Sequence, residues 1–294
     1  MNGKSSSRSF WKTLLAIPLL LAAAAFLQSR IDKATRSEAS QKEELLVHSG
    51  TLLKKMSLGY DPLAADIYWT RVVQYYGARI GDREASFDLL APLLNITTTL
   101  DPHLVVAYRF GAIFLSEPKP SGAGRTDLAV DLVKRGIASN PGDWHLYYDL
   151  GVLYYWRLKD YRQASAAFLA GSNAPKAPLI LKLVAAGVAQ QGGSFETSRM
   201  IFTELYRSTS DPKVQKMALE ELQALKALED EKHLDKIVEE YEKRFGRKPD
   251  SILDLVKTRL LPGLPLDPAG YPYMIGPDGK CQVGPKSPIG KPRR

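Results

Sequence analysis

The chain has 294 residues, of which 45% are hydrophobic, so it can bury a substantial core in one or two domains. The net charge is +8, and eight basic residues at the two ends of the chain account for it: Lys4, Arg8, Lys12, Lys280, Lys286, Lys291, Arg293 and Arg294. The charges of the middle of the chain are therefore balanced, which argues against a nucleic-acid binder. The single cysteine, Cys281, excludes an internal disulfide and a cysteine metal cluster.

The N-terminal segment has the pattern of a targeting or anchoring sequence. Residues 1–12 carry three cations, and residues 13–27 are uncharged and mostly apolar before charge returns at Arg30. A basic segment followed by an apolar run is typical of a secretory signal or a signal-anchor. Phe10 and Trp11 extend the run toward the roughly 20 residues that span a bilayer.

Three interpretations of residues 1–29 stay open. Residues 10–28 form a transmembrane anchor, or the chain is cleaved near the alanines at 22–25, or the run is a buried helix. The cations before the run favour an N-terminus inside the cell, with the bulk of the chain in the periplasm or outside. We expect a single-pass protein of the bacterial inner membrane, in which residues 30–64 form a juxtamembrane helix or linker.

Prolines recur at a regular step through the middle of the chain. Four of them close apolar helical stretches, at steps of 39, 34 and 37 residues: Pro102, Pro141, Pro175 and Pro212. The insertion SEPKPSGAGR (116–125) lengthens the first step. A period in the mid-thirties is typical of stacked helix pairs. We therefore predict an all-α fold with four helix pairs over residues 65–212.

Large and small residues divide between the two helices of the clearest pair. The first helix, WHLYYDLGVLYYWRL, is rich in aromatic residues, whereas the second, YRQASAAFLAG, is rich in small ones. Gly151 and Ala164 lie at helical spacing on facing sides, where small residues allow the two helices to approach closely. Tyr154 and Phe168 are then expected to fill the volume between this pair and its neighbour.

These residues resemble the tetratricopeptide repeat (TPR) family, whose pattern is a Trp, a Leu-Gly, a Tyr, an Ala, a Phe and a closing Pro. The resemblance covers about residues 65–212 and is carried by Trp69, Tyr76, Leu150, Gly151, Tyr154, Ala164, Phe168 and Pro175. Gly136, Gly171 and Ser198 depart from the family's alanines, and a helical array unrelated to the family is the alternative. The resemblance implies a solenoid of helical hairpins that binds a partner in its concave groove.

The C-terminal third changes character twice. Residues 213–246 form a charged amphipathic helix that should cover the exposed end of the stack. Residues 247–294 predict a short helix over 252–260, capped by Asp250 or Ser251, then a small β-hairpin in which YPYMI and KCQV flank the turn GPDG, and a basic disordered tail.

This C-terminal block resembles the tail of pseudopilin-like proteins and of some membrane-anchored bacterial repeat proteins. In pseudopilins the comparable loop can hold calcium, which would point to Asp267 and Asp278. Calcium requires six or more oxygen ligands, and few carboxylates lie in this part of the sequence. Turn formation is therefore the favoured role of both aspartates.

No grouping of residues predicts an enzyme, a cofactor or a metal site. The four histidines do not pair with one another or with cysteine at metal-ligand spacing, and no nucleophile motif occurs. A binding role remains, and helical spacing places seven candidate partner-binding residues on the first helices of the pairs: Arg71, Gln74, Tyr108, Arg109, Tyr148, Asp149 and Tyr155. Packing of the tyrosines in the core is the competing interpretation.

We expect a membrane-tethered scaffold that binds a protein or peptide in the concave groove. The resemblance alone suggests a setting in the assembly of a pilus, secretion or other cell-envelope complex. A rival hypothesis is an envelope biogenesis factor that binds a glycan or another polymer, because aromatic residues also stack on sugars. A third is a surface enzyme whose site carries no recognisable motif.

Overall fold

The computed structural model describes residues 26–27, 30 and 49–289, and this part of the chain is mostly helical, which confirms the all-α prediction. The predicted anchor or signal segment lies outside the described residues except for Phe26 and Leu27. In the described part, every helix is too short or too polar to cross a bilayer.

The helices of residues 49–289 form a linear series. After α1 (Gly50–Met56) come α2 (Asp61–Gly77) and α3 (Leu90–Leu100), α4 (Val105–Ser116) and α5 (Thr126–Ser139), α6 (Trp144–Val152) and α7 (Tyr161–Ser172), and α8 (Ile180–Gln191) and α9 (Phe195–Ser208). A π-helical segment, Leu153–Leu158, continues α6. The series ends with α10 (Pro212–Phe245), α11 (Ile252–Lys257), β1 (Met274–Ile275) and β2 (Cys281–Gln282).

Helices α6 and α7 illustrate how a pair is built. A Cβ atom on Gly171 would lie 2.6 Å from the Cβ of Tyr147, and one on Gly151 would meet the ring of Phe168. A step forward along α6, from Tyr147 to Gly151, thus corresponds to a step back along α7, from Gly171 to Phe168, so the two run antiparallel. Between the π-helical segment and α7, Lys159 has a left-handed conformation (φ 55°), which reverses the chain within two residues.

The buried apolar residues of the series form one continuous core from Ala65 in α2 to Leu225 in α10. Gly136 explains one departure from the TPR pattern, because a Cβ there would lie 2.8 Å from the Tyr108 ring. A bulky ring on α4 therefore takes the volume that an alanine methyl group would otherwise fill on α5. At the far end, α10 contributes Ala218 and Leu225 to the core.

The C-terminal half of α10 forms a second, smaller core with α11 and the hairpin. Strands β1 and β2 pair antiparallel, with Met274 opposite Gln282 and Ile275 opposite Cys281, so the hairpin predicted around GPDG is present. Two strands alone are marginally stable, and this pair packs against α10 through the buried Cys281 and Tyr273.

Candidate functional site

The first helices of successive pairs contact one another directly. Trp69 of α2 lies stacked against Phe114 of α4, with ring centroids 6.2 Å apart. Arg109 Nε of α4 donates a hydrogen bond of 2.7 Å to Asp149 Oδ2 of α6. Helices α2, α4 and α6 therefore form one continuous surface, and we call their exposed side chains, with those of the π-helical segment, the first-helix surface.

The first-helix surface is apolar. Its large apolar and aromatic side chains are between 36% and 61% exposed: Leu63, Ile67, Val73, Val106, Phe110, Ile113, Tyr148, Trp156 and Leu158. Single exposed apolar residues are normal on any protein, but a set that runs along three adjacent helices is a feature of interaction surfaces.

The second helices have a different surface. Helices α3, α5 and α7 expose polar side chains such as Asn95, Asp131, Lys134 and Gln163. Within residues 49–289, all the large exposed apolar side chains lie outside these three helices. The second helix of the fourth pair, α9, differs, because its Met200 is 58% exposed. Apolar exposure in the first three pairs is therefore confined to one set of helices.

Two arginines of the first-helix surface are paired with carboxylates. Arg109 bridges to Asp149, and Arg157 of the π-helical segment bridges to Glu117, which directly follows α4. The hydrogen bond to Asp149 raises the pKa of Arg109. Desolvation raises the pKa of Asp149, and this effect exceeds the opposing effect of Arg109. Because both arginines are engaged, apolar contact is the main interaction that the surface of α4 and α6 offers.

The π-helical segment displays the most prominent aromatic residue of this surface. Trp156 is 60% exposed and lies edge-to-face with Tyr155, whose hydroxyl donates to Gln191 Oε1 of α8 at 2.8 Å. Lys159 Nζ lies 5.1 Å from the centroid of the Trp156 ring. π-Helical turns inside helices are rare and are often found at functional sites.

The structure brings most of the predicted binding residues to the surface. Six of the seven have exposed or half-buried side chains: Arg71, Gln74, Arg109, Tyr148, Asp149 and Tyr155. The placement of Tyr108 in the groove is wrong, because its side chain is 2% exposed and packs on Gly136 in the core. Among those six, Arg109 and Asp149 bind each other.

Sequence reasoning missed the apolar members of this surface. Val106, Phe110 and Ile113 recur at intervals of four and three residues, which places them on one side of α4. That spacing is visible in the sequence, but it is equally typical of a buried helix face. Only the packing of α4 shows that this side is exposed.

The C-terminal loop shows the turn interactions that the sequence favoured. Asp267 Oδ1 accepts hydrogen bonds of 2.9 Å from the backbone N–H groups of Ala269 and Tyr271. Asp278 Oδ1 accepts one of 3.1 Å from the N–H of Lys280. In the described part of the chain, no group of three His, Cys, Asp or Glu residues is placed to hold a metal ion.

No protein-family model and no curated protein sequence matches the chain. Its function is therefore inferred from the first-helix surface and from the contacts of the residues that form it.

Proposed function

We propose that this chain is a membrane-tethered, TPR-like scaffold that binds a partner protein through its first-helix surface. The observation that carries the proposal is the one-sided exposure of apolar side chains on α2, α4 and α6, opposite the polar second helices. Exposed apolar patches mark surfaces that contact another protein, a membrane or a ligand, and we propose a protein here. The tether is supported by the sequence pattern of residues 1–29 alone.

The repeat architecture supports the same proposal. In solenoids of helix pairs, the repeats create an extended concave surface that takes up a partner. Here the proline period, the helix pairs and the direct contacts between first helices agree with a TPR-type array. Phe110, Tyr148 and Trp156 offer aromatic anchors on two successive first helices, and Tyr and Trp are enriched at binding hot spots.

The partner we propose is a protein with an exposed apolar helix or segment, in a bacterial cell-envelope complex such as a pilus or secretion apparatus. An apolar partner matches this surface because Arg109 and Arg157 are already neutralised by Asp149 and Glu117. A strongly charged partner would have to break these ion pairs. The envelope setting follows from the sequence resemblance and from the N-terminal pattern.

Crosslinking of the full-length chain in its native membranes tests the proposal. We expect Phe110→Glu to reduce recovery of a specific crosslinked protein by about tenfold or more, because a carboxylate would be desolvated against an apolar partner. Lys134→Glu on the polar surface of α5 is the matched control and should leave recovery unchanged. Equal recovery with both variants, or the absence of any specific crosslinked protein, overturns the proposal.

A second candidate function is binding of a glycan or another polymer in envelope biogenesis. The exposed Trp156 ring, edge-to-face with Tyr155, favours it because aromatic faces also stack on sugar rings. Titration of envelope glycans into the full-length chain distinguishes the two functions. Saturable glycan binding that is lost in Trp156→Ala would support this candidate over the scaffold.

A further inference from the structure

A cavity of about 720 Å³ lies apart from the first-helix surface, between the turn that joins α8 and α9, helix α10 and the C-terminal hairpin. Cavities of several hundred Å³ are the usual size of sites for small molecules and short peptide segments. Its floor is apolar and includes Ala224, Ala227 and Leu228 of α10. Strand β2 and the residues that follow it form the opposite side.

Gln190 is the residue that marks this cavity as a site. Its side chain lines the cavity, and the residue is only 8% exposed. In residues 49–289, no group forms a hydrogen bond with its side-chain amide, although its backbone carbonyl accepts from Gly193. The amide therefore keeps its donor and acceptor groups free toward the cavity, where a ligand group can pair with them.

The carboxylates around the cavity are already engaged by the hairpin. Asp235 Oδ1 accepts a hydrogen bond of 2.7 Å from the N–H of Cys281, and Glu231 Oε1 accepts one of 2.9 Å from the N–H of Val283. Asp278 accepts from the N–H of Lys280. The cavity lining therefore holds three occupied carboxylates and two ammonium groups, and this near balance of charge favours an uncharged ligand.

Two features favour a peptide over a sugar. The antiparallel register directs the N–H and C=O groups of Cys281 and Val283 away from β1, toward α10, so their carbonyl oxygens can accept from amide N–H groups. A glutamine amide can both donate to and accept from one peptide group. In contrast, Lys232 Nζ lies 4.1 Å from the centroid of the Phe195 ring and covers the aromatic face on which a sugar would stack.

We propose that this cavity binds a short, uncharged peptide segment. The Gln190 amide pairs with a peptide group of the ligand, and the carbonyls of Cys281 and Val283 accept from its N–H groups. An apolar side chain of the ligand packs on the half-buried Leu228. This site is separate from the first-helix surface, and its existence does not depend on the scaffold function.

Calorimetric titration of the full-length chain tests the site with blocked tripeptides, acetyl-Ala-Xaa-Ala-amide, in which Xaa is Val, Leu or Phe. We expect saturable binding of at least one tripeptide. Gln190→Leu should weaken that binding by about tenfold, because the amide makes one or two hydrogen bonds to the ligand. The same variant should keep the melting temperature, since the amide makes no hydrogen bond to the described residues.

Ser198→Ala is the matched control. Ser198 is fully buried and its hydroxyl also lacks a partner among the described residues, but it does not line the cavity. It should leave affinity unchanged. Leu228→Trp, which fills part of the cavity from a half-buried position, should abolish binding and serves as a second variant if Gln190→Leu does not fold.

Three results would overturn the proposal. The first is no saturable binding by any of the tripeptides. The second is equal affinity in the wild type and in Gln190→Leu or, where that variant does not fold, in Leu228→Trp. The third is preferential binding of acetyl-Ala-Asp-Ala-amide or of N,N′,N″-triacetylchitotriose, which would assign the cavity to a charged or saccharide ligand. Phe110 lies on α4, outside this cavity. The effect of Phe110→Glu on partner recovery therefore tests the scaffold function separately from the peptide site.

Discussion

At the scale of single residues, glycines set the distance between the helices of a pair. Gly151 and Gly136 each face an aromatic ring, and a Cβ at either position would overlap Phe168 or Tyr108. Gly187 in α8 differs, because no atom lies within 4 Å of where its Cβ would be. The three glycines lie in similar helices, but only the first two serve helix packing.

Gly151→Ala is therefore expected to destabilise the protein, by about 1–3 kcal/mol, because the methyl group would force the buried Phe168 ring to move. Gly187→Ala is the control, and should stabilise it by about 0.5–1 kcal/mol through helix propensity alone. Urea unfolding followed by circular dichroism measures both values. Loss of stability in both variants, or in neither, would contradict this account of the packing.

Cys281 gives a prediction about pH. Burial, with help from Asp235 and Glu231, raises the pKa of its thiol from the ordinary value of 9.0 to about 12. Between these values the unfolded chain loses the thiol proton and the folded chain keeps it. The free energy of unfolding therefore falls as pH rises through this window, by at most about 1.4 kcal/mol per pH unit.

Urea unfolding between pH 8 and 11 measures this dependence, and Cys281→Ala should show a shallower fall above pH 9. Burial also raises the pKa of Tyr273, but that residue is present in both chains and its effect cancels in the difference. Parallel curves for the two proteins would show that the thiol keeps an ordinary pKa in the folded state.

At the scale of elements, α10 caps the free edge of β2 through matched spacings. Glu231 and Asp235 are four residues apart on a helix, a rise of about 6 Å. Val283 and Cys281 are two residues apart on an extended strand, a rise of about 6.6 Å. Both carboxylates therefore reach one backbone N–H group each, so the donors of this edge are occupied and only its carbonyl oxygens remain free to pair.

Asp235→Ala should leave the N–H of Cys281 without an acceptor and weaken docking of the hairpin by about 1–3 kcal/mol. Amide hydrogen exchange at Cys281 reports this opening directly. Asp235→Asn keeps an acceptor oxygen in the same place and is expected to retain most of the protection. If the Cys281 amide is protected equally in Asp235→Ala and Asp235→Asn, the Asp235 side chain does not hold the strand.

At the scale of the whole molecule, each helix pair is covered mainly by its neighbours, and α10 covers the last one. It adds Ala218 and Leu225 to the core that includes Ile201 and Leu205 of α9. Stacked arrays need such a terminal cover, because an end pair would otherwise expose its apolar side to water.

A chain that ends at residue 211 is therefore expected to melt at a lower temperature and to associate in solution, since burial of each large apolar side chain contributes about 1.5–3 kcal/mol. A chain that ends at residue 248 keeps α10 and loses only α11 and the hairpin, so its helix pairs should melt close to the full-length temperature. Circular dichroism melts and size-exclusion chromatography compare the two. Identical melting would mean that α10 does not cover the array.

The sequence by itself determined the helical class, the period of the pairs and the hairpin around GPDG. These features depend on the spacing of apolar residues, on small residues facing rings and on turn chemistry, all of which are local. Gly151 and Phe168 could be matched for this reason, because they belong to neighbouring helices of one pair.

Tertiary packing decided which residues face the solvent. Successive residues of a helix differ by about 100° in direction, so Tyr108 enters the core while Phe110 remains exposed, although both are aromatic residues of α4. The pairing of Arg109 with Asp149 joins positions 40 residues apart, and the cavity at Gln190 is bounded by three separate elements. Contacts between such distant residues depend on how the helices stack, which local spacing does not specify.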